Sequence, residues 1–206
     1  MRQYIPRALV FLAVLFVAGL PGRTLAYSVL VMGDSLSASY GIPIDSGWVS
    51  LLSKRVANRN ISVHNLSIPG ETSYGGSQRI SQALIDYNPD IVVLELGAND
   101  GLQGLDVNQM RHNLFQIIQS SRSHGSKVLL LGMMIPPNYG KVYTQAFQNV
   151  YLELASELSI PVVPFLLESV ALDYALMQED GYHPTELAQP IILETVWAEL
   201  SRLLPK

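Results

Sequence analysis

The feature that most constrains this chain is a regular alternation of short, β-branched apolar runs with longer segments of helical period. The runs fall at residues 28–32 (SVLVM), 61–66, 91–96 (IVVLEL), 127–133 (KVLLLGM) and 162–165. Helical spacing follows at residues 47–58, where Trp48, Leu51, Leu52 and Val56 share a face. It recurs at 76–87 (Ile80, Leu84, Ile85), 107–124 (Met110, Leu114, Ile117, Ile118), 143–158 and 185–203. Strands this continuously apolar are buried on both faces, which is the condition of a parallel sheet covered by helices. The expected fold is therefore α/β: three layers, α/β/α, around a five-stranded parallel sheet. In such sheets a ligand sits outside the carboxyl ends of the strands. The long irregular stretches at 33–46, 97–106 and 136–141 follow the first, third and fourth runs, and so gather at that edge.

The first 26 residues do not belong to this pattern. Arg2 and Arg7 precede an apolar run at residues 8–20, Pro21 and Gly22 break it, and Thr24-Leu25-Ala26 offers a small-residue cleavage site. This is the layout of a secretory signal peptide, and the run is shorter than the roughly 20 residues of a membrane span. Residues 1–26 are read as a signal peptide and 27–206 as one domain, with cleavage after Ala26. The leader carries three arginines and no acid, so the remainder holds 10 Lys and Arg against 17 Asp and Glu, a net charge of −7. That acidity argues against a general nucleic-acid binder, which needs a basic footprint. The absence of cysteine excludes a disulfide framework and thiolate metal sites.

Four loops carry residues capable of chemistry. Gly33-Asp34-Ser35-Leu36 follows the first run directly. Ser35 there can cap a helix, or stand exposed where a helix begins and its N–H groups face an anion. Gly70, in Pro69-Gly70, can be a turn glycine or a backbone donor that a ligand approaches closely. Asn99, in Gly97-Ala98-Asn99-Asp100, can satisfy its own turn or donate its amide to a developing oxyanion. His183 follows Asp180 by three residues in Asp180-Gly181-Tyr182-His183-Pro184. One loop can thus present a base together with the carboxylate that fixes its tautomer, although a capping Asp beside an incidental His also fits. His64, His112 and His124 have no such partner and read as structural or solvated. Glu95, inside an apolar strand, needs a partner if buried and reads as a supporting group.

Taken in order, the GDS block at Ser35, Gly70, the GAND block with Asn99 and the DGYHP block with Asp180 and His183 resemble the SGNH hydrolases, also called GDSL esterases and lipases. The resemblance spans residue 29 to the C-terminus. The stretches VLELGANDGLQG, PPNYG and MQEDGYHPTELAQP are similar to the exported bacterial thioesterases of that family, which are also described as lysophospholipases and arylesterases. The resemblance implies a flavodoxin-like fold with Ser35, His183 and Asp180 as nucleophile, base and orienting acid. It also implies an oxyanion hole from the backbone N–H groups of Ser35 and Gly70 with the Asn99 side chain, no metal or organic cofactor, and a periplasmic location.

The expected substrates are acyl thioesters, aryl esters and lysophospholipids. The acyl chain is expected in a groove between residues 33–46 and 136–142, with Ile42, Pro137 and Tyr139 as its contacts. A monomer with no nucleic-acid partner and no membrane span after cleavage completes the expectation. Two alternatives are a carbohydrate acetylesterase of the same family and a non-catalytic flavodoxin-like binding module.

Overall fold

The computed structural model describes residues 27–205, so the signal peptide read at residues 1–26 lies outside the described residues. The elements are β1 (Tyr27–Gly33), α1 (Trp48–Val56), β2 (Ile61–Asn65), α2 (Ser73–Tyr87), β3 (Ile91–Glu95), α3 (Ala98–Leu102), α4 (Val107–Ser123), β4 (Lys127–Leu131), α5 (Lys141–Leu158), β5 (Val162–Val163) and α6 (Gln189–Leu203). All five strands are parallel, in the order β2-β1-β3-β4-β5. The chain therefore steps one way from β1 to β2, then reverses past β1 to β3. Right-handed crossovers on opposite headings place α1 and the later α2, α4 and α5 on opposite faces. Accordingly α1 packs against α6, while α2 meets α4 and α4 meets α5. This is the α/β architecture with a five-stranded parallel sheet expected from the alternation.

The core lies between the layers. Every residue of β3 is buried, and Val29, Leu30, Val31 and Met32 of β1 are sealed beside it. Each such side chain contributes about 1.5–3 kcal/mol relative to exposure. Local chemistry sets the helix ends. The Thr72 hydroxyl accepts from the Gly75 N–H to start α2, and the Asp106 carboxylate accepts from the Asn108 N–H to start α4. Left-handed Asn88 and Ser159 stop α2 and α5.

Three departures from the sequence reading have clear causes. Helix α2 begins at Ser73 rather than at residue 76, because Thr72 caps it and its glycines let it press on the sheet: a Cβ on Gly76 would lie 2.3 Å from Leu96 Cδ1. Residues 98–102 form a helix although no apolar period marks it. The closing helix begins at Gln189, after a 3-10 turn at Glu186–Ala188.

Candidate active site

The carboxyl ends of β1 and β3 lie side by side, with Gly33 registered against Glu95. Ser35 follows β1 by two residues. The chain beyond it winds through turns, closed by Tyr40 N–H to Ser35 C=O at 3.1 Å, then a 3-10 turn at Ile44–Ser46, and the first α-helix starts only at Trp48. The helix N-terminus considered for Ser35 is thus absent, and local backbone rather than a helix dipole surrounds it.

His183 arrives from the far end of the sequence in a tight loop. The Gln178 N–H donates to the His183 carbonyl at 2.7 Å, and the Gly181 N–H donates to the Gln178 carbonyl at 2.9 Å. Gly181 has φ of +70°, a left-handed turn suited to glycine. Within this loop Asp180 Oδ1 accepts the N–H groups of Tyr182 and His183, at 2.9 and 3.0 Å. Its Oδ2 lies 2.6 Å from His183 Nδ1, and His183 Nε2 lies 2.9 Å from Ser35 Oγ. A carboxylate only accepts, so Nδ1 carries the ring proton and Nε2 is left to accept from the serine hydroxyl. Burial alone would raise the Asp180 pKa, but hydrogen bonds from the His183 N–H, the His183 ring and the Tyr182 N–H outweigh it and hold this carboxyl below the ordinary value.

Asn99 sits in the first turn of α3, on the strand end beside Ser35. Its amide nitrogen donates to Asp34 Oδ2 at 3.0 Å and to the Glu71 carbonyl at 2.9 Å. Both amide hydrogens are engaged, so donation to an oxyanion requires a shared bond or release of one partner. Gly70, next to Glu71, has φ of +79° and open space where a Cβ would stand. The Glu71 carboxylate is paired with Arg79, whose Nε donates at 2.7 Å.

These residues lie within a single recognised pattern. The model of the GDSL-like lipase/acylhydrolase family matches residues 31–189, which includes every residue just described. The chain belongs to this family. Among curated relatives it is 44% identical over 200 residues to esterase TesA of Pseudomonas aeruginosa, covering 96% of this chain and all of the relative. It is 40% identical over 178 residues to an arylesterase of Vibrio mimicus, covering 85% and 89%. It is 38% identical over 179 residues to thioesterase 1/protease 1/lysophospholipase L1 of Escherichia coli K12, covering 87% and 86%. Among solved structures, TesA superposes with a TM-score of 0.83 at 46% identity, covering 86% of this chain and 99% of that one. Esterase EstA of a Pseudoalteromonas species, solved inhibited by monoethylphosphonate, gives 0.81 at 35% identity, covering 85% and 97%.

As an acylhydrolase of this family, the chain needs room for an acyl group, and a cavity of about 410 Å³ opens beside Ser35 and His183. Its apolar wall comes from Leu102, residues 133–137, Phe165, Leu167, Ala171, Leu172 and Met177. Pro137 lines this cavity, and Ile42 and Tyr139 lie outside its lining. The strand order accounts for these positions. β4 and β5 lie on one flank of Ser35, so their loops enclose the cavity, while residues 38–46 turn to the other flank. There the Tyr40 ring packs at a tilt of 39° against the His183 ring, centroids 4.6 Å apart, and Gln178 Nε2 donates to the Tyr40 carbonyl at 2.9 Å. Tyr139 instead braces the cavity from behind, its hydroxyl donating to the Leu102 carbonyl at 2.7 Å. Tyr40 and the stretch 165–176 carry no motif by which sequence reasoning could have found them.

Buried polar groups tie the loops together. Asp100, next to Asn99, accepts from the Ser73 N–H at 2.8 Å and from its hydroxyl at 2.5 Å. Among the described residues no group of three His, Cys, Asp or Glu side chains forms a metal-binding cluster, and no helix is long and apolar enough to cross a membrane.

Proposed function

We propose that the chain hydrolyses acyl thioesters, aryl esters and lysophospholipids through an acyl-enzyme on Ser35. The observation that carries this reading is the continuous hydrogen-bonded chain Ser35 Oγ, His183 and Asp180 at the mouth of an apolar cavity. As Ser35 Oγ bonds to the carbonyl carbon, its proton passes to His183 Nε2. The carbonyl oxygen becomes an oxyanion, received by the N–H groups of Ser35 and Gly70 and by the Asn99 amide. Asp180 stabilises the imidazolium. Collapse breaks the bond to the leaving oxygen or sulfur, which takes the proton from His183. Water then attacks the acyl carbon, gives its proton to His183, and the acid leaves as Ser35 regains it. The donors face the carbonyl oxygen and not the leaving atom, so esters and thioesters are equally suited. The names of the Vibrio and Escherichia relatives agree with this substrate range.

The reading includes export: removal of residues 1–26 and a periplasmic location, supported by the charged, apolar and small-residue order of that segment. Labelling with a fluorophosphonate followed by peptide mapping tests the nucleophile. Modification at Ser35 alone is expected; labelling of Ser37 or Ser39, or full activity in Ser35→Ala, refutes it. A binding module would not react at all. A panel of acyl lengths separates this reading from a carbohydrate acetylesterase, which would prefer acetyl groups strictly.

A further inference from the structure

Glu95 ends β3 with none of its surface exposed. Its Oε2 accepts from the Ser37 hydroxyl at 2.8 Å and from the Asp34 N–H at 3.2 Å. It fits because Gly33, registered against it, lacks a side chain: a Cβ there would stand 2.6 Å from Oε2. The other oxygen, Oε1, is sealed from solvent and meets no N–H or O–H donor. An ionised oxygen so placed would lose its hydration with nothing in return. The carboxyl of Asp34, also fully buried, lies close enough for each carboxyl to disturb the other's ionisation. Two buried carboxyls that feel each other resist ionising together, so one of them keeps its proton well above the ordinary carboxylate range. Desolvation and the Asp34 charge push Glu95 well above the carboxylate range, while burial takes Asp34 only to about 6. Above about pH 6 the proton therefore stays on Glu95 and the charge on Asp34. Asp34 spends that charge on two donors, the Leu36 N–H at 3.1 Å on Oδ1 and the Asn99 amide at 3.0 Å on Oδ2.

We propose that Glu95 is a positioning residue for the oxyanion donors: as a neutral acid it donates to Asp34 and locks it as the acceptor that orients the Asn99 amide and the Ser35–Leu36 turn. The inference rests on the reading of Asn99 as an oxyanion donor. A carboxylate accepts only, so it forces Asn99 to present nitrogen rather than oxygen on that side. Were Asp34 free to turn, only the Glu71 carbonyl would hold the amide nitrogen, and its aim at the developing negative charge would loosen. The other titratable groups around the pair are His183 and Glu71 toward Asp34, and Tyr151 toward Glu95, with Asp100 beyond Tyr151.

The test compares Glu95→Gln, Glu95→Leu and Asn99→Ala, singly and combined, by kcat and KM on one aryl ester. Glutamine is a neutral donor of the same shape, so Glu95→Gln should keep kcat within about threefold and its pH profile should overlay the wild type from about pH 5 to 8. Glu95→Leu can neither donate nor accept, and should lose about 10²-fold in kcat with KM within about twofold, as for a lost oxyanion donor. Added to Asn99→Ala it should cost little more, because both act on the same amide. A large kcat loss or failure to fold in Glu95→Gln would mean that Glu95 acts as an anion, and would overturn the proposal. So would full additivity of Glu95→Leu with Asn99→Ala. If Glu95→Leu does not fold, the Glu95→Gln profile decides alone. Wild-type kcat in Asn99→Ala would instead overturn the oxyanion reading itself, a separate outcome.

Discussion

Ser73→Ala probes the buried link that joins the Gly70 loop to the Asn99 helix. Ser73 has no exposed surface; its hydroxyl donates to Asp100 Oδ1 and accepts from Asn113 Nδ2 at 3.0 Å. A hydrogen bond to a charged group contributes about 1.5–3 kcal/mol, and the orphaned Asn113 donor costs about 1 kcal/mol more. Alanine's better helix propensity returns at most about 0.5 kcal/mol. The net expectation is a loss of about 3 kcal/mol. For a domain of this size each kcal/mol lowers Tm by about 2–4 °C, so calorimetry should find a fall of about 6–12 °C. The control is Ser77→Ala, whose exposed hydroxyl bonds only within its own helix and whose loss should stay within about 0.5 kcal/mol. A Ser73→Ala protein melting within about 2 °C of wild type would refute the reasoning, since the buried network would then be worth no more than an exposed hydroxyl.

Asp180→Asn should reduce kcat by about 10⁴, as expected when the tautomer is no longer fixed, with KM little changed; equal activity at neutral pH would remove Asp180 from the mechanism. The raised pKa of Asp34 means that its protonated form stabilises the fold below about pH 3.8 and that this contribution is lost as pH rises through about 6, roughly 3 kcal/mol over the interval. Urea unfolding at the two ends of that window should show the decline in wild type and a smaller one in Asp34→Asn; identical slopes would contradict the assignment. Each methylene added to a thioester acyl chain should raise kcat/KM about fourfold until the cavity is filled, from about 0.8 kcal/mol per buried group. Ala171→Trp, on the cavity wall, should end that rise at shorter chains while sparing acetyl substrates, and an unchanged chain-length series would place the acyl group elsewhere.

Much of the site was legible because its parts are local. The Asp180–His183 pair lies within four residues, and Gly181 supplies the left-handed turn that brings ring and carboxylate together. Ser35 and Asn99 each follow an apolar strand within a few residues, so strand periodicity alone delivers them to one edge. Helix α3 escaped notice because five residues are too few to display a period. The cavity beside Ser35 has a wall that local pattern does not show. Residues 38–46 include apolar side chains such as Ile42 and Ile44, but which flank of Ser35 they occupy depends on strand order, which no local pattern encodes.

The sequence by itself therefore determined the elements, the parallel sheet and the roster of reactive groups, since period, capping and turn chemistry act over a few residues. Tertiary structure alone decided which groups share a proton or a wall. Glu95 meets Asp34 only because β3 pairs with β1 in a register that sets it opposite Gly33. Tyr40 covers His183, 143 residues away along the chain, only because both loops end at the same sheet edge. Contacts of that separation are fixed by packing of the whole core, where burial makes a single unpaired oxygen costly enough to dictate its protonation.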